Sequence, residues 1–286
     1  YAALFLNHTF GWSSQVGADL PSGGPSYPLA TPGVRLRLSP RDRLTLFAAV
    51  FNGDPAGPGP GQPQERDPSG TAFRLGDGVF AILEAQLGLE IADLPGTYKL
   101  GGWYNSNRFR DERTNGAGVS VADPAAADLL GRPRRGNYGL YGIADQLVWR
   151  NPSSKDAGIG VFARAMGSPG DRNLINFYVD AGVTYKGVIP GREDDTAGLA
   201  FGYARYSDTV SKLDSDIARF TGTDVPIRRN ETVLELTYQA QIAPWWQVQP
   251  SAQYVFNLNG GVSDPLRPGK RLGDAAVLIL RTAVTF

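Results

Sequence analysis

The chain has 286 residues, formal charge zero from 28 basic and 28 acidic residues, no Cys and a single His. Balanced charge argues against a protein devoted to nucleic-acid binding, which usually shows a basic excess, and the Cys and His counts exclude disulfides, thiolate chemistry and any multi-His metal site. Gly (36) and Pro (21) are frequent, which favours many short strands and turns over helical bundles. No run of about 18 apolar residues exists, so no transmembrane helix is expected, but a β-barrel crosses a bilayer with alternating residues and leaves a weak hydropathy signal.

Eleven strands follow in chain order, at about 33–39, 43–52, 79–91, 96–106, 136–150, 157–167, 173–187, 196–207, 231–243, 245–257 and 274–286. The signal is period-2 alternation. In 173–187, Ile175, Phe177, Val179, Ala181, Val183 and Tyr185 share one face. Asn176, Tyr178, Asp180, Thr184 and Lys186 share the other. The strand at 231–243 sets Leu234, Leu236 and Tyr238 against Glu235, Thr237 and Gln239, and 245–257 sets Val248, Ala252 and Tyr254 against Gln247, Gln249 and Gln253. Ile175, Val179, Leu234, Leu236, Val248 and Leu280 are expected to face lipid, with Asp180, Glu235, Gln239, Gln249 and Arg281 facing inward. The strand at 136–150 is ambiguous, because Asp145 and Gln146 put a polar residue on each face; a bulge would resolve it.

The connections alternate in length. Those at 40–42, 92–95, 151–156, 188–195 and 243–244 are short. Those at 53–78, 107–135, 208–230 and 258–273 are long, and 168–172 is a short member of the long class. Short turns at one end and long loops at the other are the outer-membrane barrel pattern. The GDPAGPGPGQP run at 53–63 reads as a solvated loop. Aromatics sit at strand ends: Tyr98, Tyr185, Trp246 and Phe286 near the short turns, and Tyr104, Phe177, Tyr203 and Tyr254 near the long loops, as two interfacial belts require. A terminal Phe286 on an alternating last strand looks like the assembly signal of bacterial outer-membrane barrels. The fold class is therefore all-β, a transmembrane antiparallel up-and-down β-barrel in the bacterial outer membrane.

The inner faces carry charges of both signs, at Arg35, Arg37, Glu84, Lys99, Arg164, Asp180, Lys186, Glu235 and Arg281. In a barrel they line a water-filled channel. Mixed signs suit a neutral, hydroxyl-rich solute, since Arg donates and carboxylate accepts. Trp103 shares a face with Lys99 and Asn105. It reads either as an inward stacking surface for a sugar ring or as a girdle residue across a local bulge. His8 beside Asn7 admits a Ser–His–Asn hydrolase, and Glu84 with Glu235 admits a glycosidase pair, but a structural His and pore-lining carboxylates are the simpler readings. No phosphate-binding Gly loop occurs, and no cofactor or metal is expected.

The sequence resembles the carbohydrate-selective outer-membrane porins of the OprB type. The resemblance is carried by GADLPSGGPSYPLATPGVRLRL at 17–38, FNGDPAG at 51–57, LPGTYKLGGWY at 94–104 and GNYGLYGIADQLVWR at 136–150. It continues through GVFARAMGSPGDRN at 160–173, IPGREDDTAGLAFGYAR at 189–205 and ETVLELTYQAQIAPWWQVQPSAQYVF at 231–256. It implies a 16-stranded barrel that passes mono- or oligosaccharides by passive diffusion through an eyelet lined by Arg and Glu, and a monomer more readily than a trimer. Parity adds an expectation. With the last strand running inward, the strand at 33–39 also runs inward, so residues 1–32 read as an outer loop folded into the lumen as a constriction. Five further strands would precede them, and the strands at 33–39 and 274–286 should not pair with each other. The alternatives are a general or ion-selective porin and, in another class, a barrel enzyme acting on lipid or glycan.

Overall fold

A computed structural model describes residues 1–152 and 157–286. Residues 1–32 form an irregular segment with 3₁₀ turns at Ala2–Leu4, His8–Phe10 and Pro21–Gly23 and a short helix α1 (Ser14–Asp19). The strands are β1 (Gly33–Arg41), β2 (Leu44–Asn52), β3 (Val79–Ile91), β4 (Leu94–Arg110), β5 (Pro133–Arg150), β6 (Gly158–Gly167), β7 (Ile175–Lys186), β8 (Thr196–Tyr206), β9 (Asn230–Ala243), β10 (Trp246–Phe256), β11 (Ser263–Asp264), β12 (Arg267–Arg271) and β13 (Ala275–Val284). The connections hold helices α2 (Pro63–Arg66), α3 (Asp208–Thr221) and α4 (Leu258–Gly261). β1 to β10 and β13 make one 11-stranded sheet in chain order, and β11 and β12 pair with each other inside the last loop. Every neighbouring pair is antiparallel. β1 and β13 are the two edges and do not pair with each other.

The eleven expected strands are the eleven of the main sheet, with ends displaced by at most four residues. The short turns are tight. β3 and β4 are joined by Ala92 and Asp93, both at positive φ (51° and 59°), the geometry whose twist matches the strands on either side. The short connection expected at 151–156 lies partly outside the described residues. Sequence patterning missed α3, although its signals are present. Ser207 is the N-cap and accepts from the Val210 amide, Asp208 stands in the first turn, and Gly222 closes the helix at φ 65°, as capping rules require.

The alternation holds across the sheet. Leu236, Leu278 and Leu280 are 59%, 86% and 73% exposed on one face, whereas Asp180 and Glu235 are fully buried on the other. We call the exposed apolar face outer and the opposite face inner. The aromatics cluster at both ends of the outer face: Trp149 meets Tyr185 edge-on and Trp245 stacks on Trp246 at the short-turn end, and Tyr254 packs on Phe256 at the long-loop end. The ambiguity in β5 is resolved by a bulge between Leu147 and Trp149. Before it, Asp145 faces inward and Gln146 outward, where Gln146 bonds the Tyr98 hydroxyl and the backbone carbonyls of Leu94 and Leu147.

Ile175 departs from expectation. Its ladder with β8 slips between Ile175 and Phe177, and Ile175 is 4% exposed in a core with Val16 and Leu20. One irregular step moves a side chain to the other face, so Phe177 faces out and Ile175 does not.

The core lies between the sheet and residues 1–32. Phe5 and Phe10 pack with Phe162, Val233 and Val255. Val16 and Leu20 pack with Phe80, Trp103, Tyr141, Met166 and Tyr178. Each large apolar side chain fully buried is worth about 1.5–3 kcal/mol, so these contacts outweigh any single polar tether. β8 makes the room. Its inner positions are Gly198, Ala200, Gly202 and Ala204, and its outer ones are Leu199, Phe201 and Tyr203. A Cβ at Gly198 would stand 2.6 Å from Leu4 and 2.8 Å from Phe5.

Candidate functional site

All nine charged or aromatic residues singled out from the sequence (Arg35, Arg37, Glu84, Lys99, Trp103, Arg164, Asp180, Glu235 and Arg281) fall on the inner face. Register fixes this. Glu84 stands opposite Phe47 and Gly101, Lys99 opposite Gln86, Trp103 opposite Ile82, Arg164 opposite Asp180, and Arg281 opposite Gln249. Residues 1–32 then divide them into two groups.

One group lies beneath the segment and holds it. Glu235 accepts from the amides of Leu6 and Asn7, at 2.8 Å each, and from the Ser251 hydroxyl at 2.8 Å. Gln249 donates to the Leu4 carbonyl at 2.7 Å, and Asn7 donates to Gln253 at 2.9 Å. Arg164 is paired with Asp180 and donates to the Thr9 carbonyl at 2.7 Å. The Tyr178 hydroxyl donates to Asp180 at 2.8 Å and receives the Thr9 hydroxyl at 3.0 Å. A carboxylate that accepts several donors is stabilised by charge-assisted bonds. Trp103, 4% exposed, is roofed by α1 and seated on Gly139, whose Cβ position is 2.6 Å from the indole.

Asp19, at the end of α1, fastens the middle of the segment. Its carboxylate accepts from the Ile175 amide at 3.2 Å and the Ser168 hydroxyl at 3.1 Å. Its backbone carbonyl accepts from Asn137, which is paired with Asn173. Burial pushes the Asp19 carboxyl well above the usual carboxylate range despite these bonds, and the Glu112 charge adds to the rise.

The second group is left open. Arg35 and Arg37 are exposed, and each guanidinium carbon stands 5.8 Å from the centre of the Phe47 ring, within cation–π range. Glu84, half-buried on the neighbouring strand, accepts from the Tyr141 hydroxyl at 2.7 Å. Arg35, Phe47, Glu84, Gln86 and Tyr141 surround a hollow of about 270 Å³. Lys99 is half-buried beside it, and Arg281 is exposed on the edge strand β13. Phe47 and Tyr141 were not singled out from the sequence. The signal available was an aromatic on the polar side of an alternating strand.

The structure does not bring the enzyme candidates together. Glu84 on β3 and Glu235 on β9 are separated by five strands, and His8 sits in a 3₁₀ turn of the segment. Among the described residues no group of three His, Cys, Asp or Glu side chains is placed to hold a metal ion.

The comparisons with known proteins bear on this face. A family model described as carbohydrate-selective porin, OprB family, matches residues 1–286. Porin B of Pseudomonas aeruginosa is 26% identical over 196 residues, covering 65% of this chain and 41% of that protein. The high-pH structure of Pseudomonas putida OprB superposes with a TM-score of 0.79 at 21% identity, over 91% of this chain and 60% of that one. The chain thus spans less than two thirds of the length of either relative. Sequence pattern, sheet and family model agree, and the chain belongs to the OprB family of carbohydrate-selective porins, β-barrels of the bacterial outer membrane.

Proposed function

We propose that this chain forms part of a water-filled barrel through which mono- or oligosaccharides diffuse passively, with residues 1–32 folded into the lumen as the constriction. One observation carries the reading. On the inner face left open by the segment, two guanidinium groups flank one aromatic ring, with a carboxylate on the adjoining strand β3 and, bonded to it, a phenol from β5. Sugars offer hydroxyls that donate and accept and C–H faces that stack on rings, so this set of groups matches them. Arg35, Arg37, Glu84 and Lys99 are the proposed eyelet residues, with Phe47 as platform. Arg164, Asp180, Glu235 and Trp103 hold the constriction in place rather than touch solute. Arg281 contributes to the wall.

Passage needs weak binding at successive points, because a tightly held solute leaves slowly. The polar face supplies hydrogen-bonding groups without an enclosed pocket. No turnover and no cofactor are invoked, and the proposed assembly is a monomer. The unpaired edges of β1 and β13 support closure by strands beyond these eleven, since open ladders are not tolerated in hydrocarbon.

The test is single-channel current through the full-length protein with glucose added. Arg37→Ala should weaken sugar block and raise cation preference, because a forked donor and a positive charge leave the narrow region. Leu236→Ala, on the outer face, should do neither. Unchanged block and ion preference in Arg37→Ala would place selectivity elsewhere. Liposome swelling in sugar with no chemical change in the sugar separates a channel from a barrel enzyme.

A further inference from the structure

We propose that the outer wall at the long-loop end of β8 and β9 binds the phosphorylated headgroup of an outer-leaflet glycolipid. α3 overhangs this wall and closes a groove of about 570 Å³ that contains Arg205, Lys212 and Arg229 with one carboxylate, Asp208. Arg205 is held by Asp208 at 2.7 Å. Among the described residues neither Lys212 nor Arg229 has an ion-pair partner, and both are exposed. Two neighbouring cations are neutralised, Arg228 by Asp214 at 2.6 Å and Arg113 by Asp216 at 2.7 Å, whereas Arg271, which donates to the carbonyl of the groove residue Ile227, adds a further cation with no ion-pair partner among the described residues. The groove therefore keeps a surplus of positive charge, three cations against one carboxylate.

Its position selects the ligand. Arg205 and Tyr203 are successive outer residues of β8, opposite Asn230 and Thr232 of β9. Tyr203 belongs to the aromatic belt at the long-loop end, so Arg205 lies about 7 Å beyond it, at the level of lipid headgroups. The next outer residues down the same strands are Phe201, Leu199 and Leu234. These border a second groove of about 570 Å³, floored by Ala163 and Ala181 and almost wholly apolar. A cationic groove bordered by Tyr203, set one outer position above an apolar one bordered by Phe201, fits an amphiphile with phosphate at one end and acyl chains at the other. A free anion would leave the apolar groove unused. Arg and Lys bind phosphate through charge-assisted bonds, and Ser211, Ser215 and Asn230 add polar groups for a sugar-bearing headgroup.

The test uses full-length protein in phosphatidylethanolamine nanodiscs containing either diphosphorylated lipid A or its dephosphorylated form, with retained lipid counted by native mass spectrometry. Wild type should retain the diphosphorylated form about fivefold or more over the other, as charge-assisted phosphate bonds predict. The double variant Lys212→Glu/Arg229→Glu should lose that preference, and Lys212→Arg/Arg229→Lys should keep it. Glucose block of the current should be unaffected in both. Equal retention of the two lipids by wild type would overturn the proposal, and that comparison does not depend on a variant folding. Unchanged preference in the charge-reversed variant, or full displacement by millimolar inorganic phosphate, would also overturn it.

Discussion

The inner faces of β6–β10 and of β1–β3 show the same alternation and carry the same kinds of residue, yet they are used differently. On β6–β10 the charges are buried: Glu235 and Asp180 are fully enclosed and spend their hydrogen bonds on residues 1–32 and their neighbours. On β1–β3, Arg35 and Arg37 are exposed over Phe47, and Glu84 meets solvent beside Tyr141. The difference is the path of the segment. A charge on the inner wall is an anchor where the segment crosses it and a solvent-facing group where it does not. Composition cannot separate the two roles; coverage does.

The sharpest way to break this comparison is to truncate one aromatic in each region. Phe10 is 2% exposed and wedged against Phe5 and Phe162. Phe10→Ala should cost about 3–5 kcal/mol of segment docking, read as a lower thermal unfolding midpoint in detergent and protease cleavage within residues 1–32. Phe47→Ala, half-exposed, should cost under about 1 kcal/mol and instead weaken sugar block. If Phe47→Ala destabilised as much as Phe10→Ala, the open region would be structural too.

Glu235→Ala tests an anchor charge directly. It leaves the Leu6 and Asn7 amides and the Ser251 hydroxyl without their acceptor, a loss of about 3 kcal/mol by the usual cost of bonds to a charged group. The segment should detach near residues 4–10, and single-channel conductance should rise. Unchanged conductance with unchanged protease resistance would mean that apolar packing alone holds the segment.

The mildest probe is pH. Asp19 has its carboxyl raised by burial, so the docked state favours the protonated form. Protons are then bound more by the docked than by the unfolded state, and stability falls as pH rises. That loss begins near the unfolded carboxylate value of about 3.9 and is complete above the raised docked-state value. Protease resistance of residues 12–24 should decline across that interval in wild type. In Asp19→Asn, which mimics the protonated side chain, it should stay level. A parallel decline in both would assign the pH response to another group.

Much of this was legible in the residues. Strand positions, the two aromatic belts and the inner or outer facing of Leu236, Glu235 and Leu280 follow from period 2, because adjacent Cβ atoms on a strand point to opposite faces. The small inner residues of β8, Gly198 to Ala204, are present in the sequence but do not by themselves say that Leu4 and Phe5 will pack over them. Ile175 was not legible, since its facing depends on a ladder slip that leaves no mark in the alternation of 173–187. Nor was α3, because Ser207, Asp208 and Gly222 are also ordinary loop residues.

The sequence by itself determined the class of the molecule, the order of its strands and, wherever the ladder is regular, the side of the wall on which a strand residue stands. These depend on local geometry and on which side chains tolerate lipid. Only the tertiary structure decided which inner residues are covered. That depends on Phe5, Phe10, Val16 and Leu20 meeting Phe162, Tyr178 and Trp103 across more than 80 residues of chain, and contacts between distant segments have no period to read.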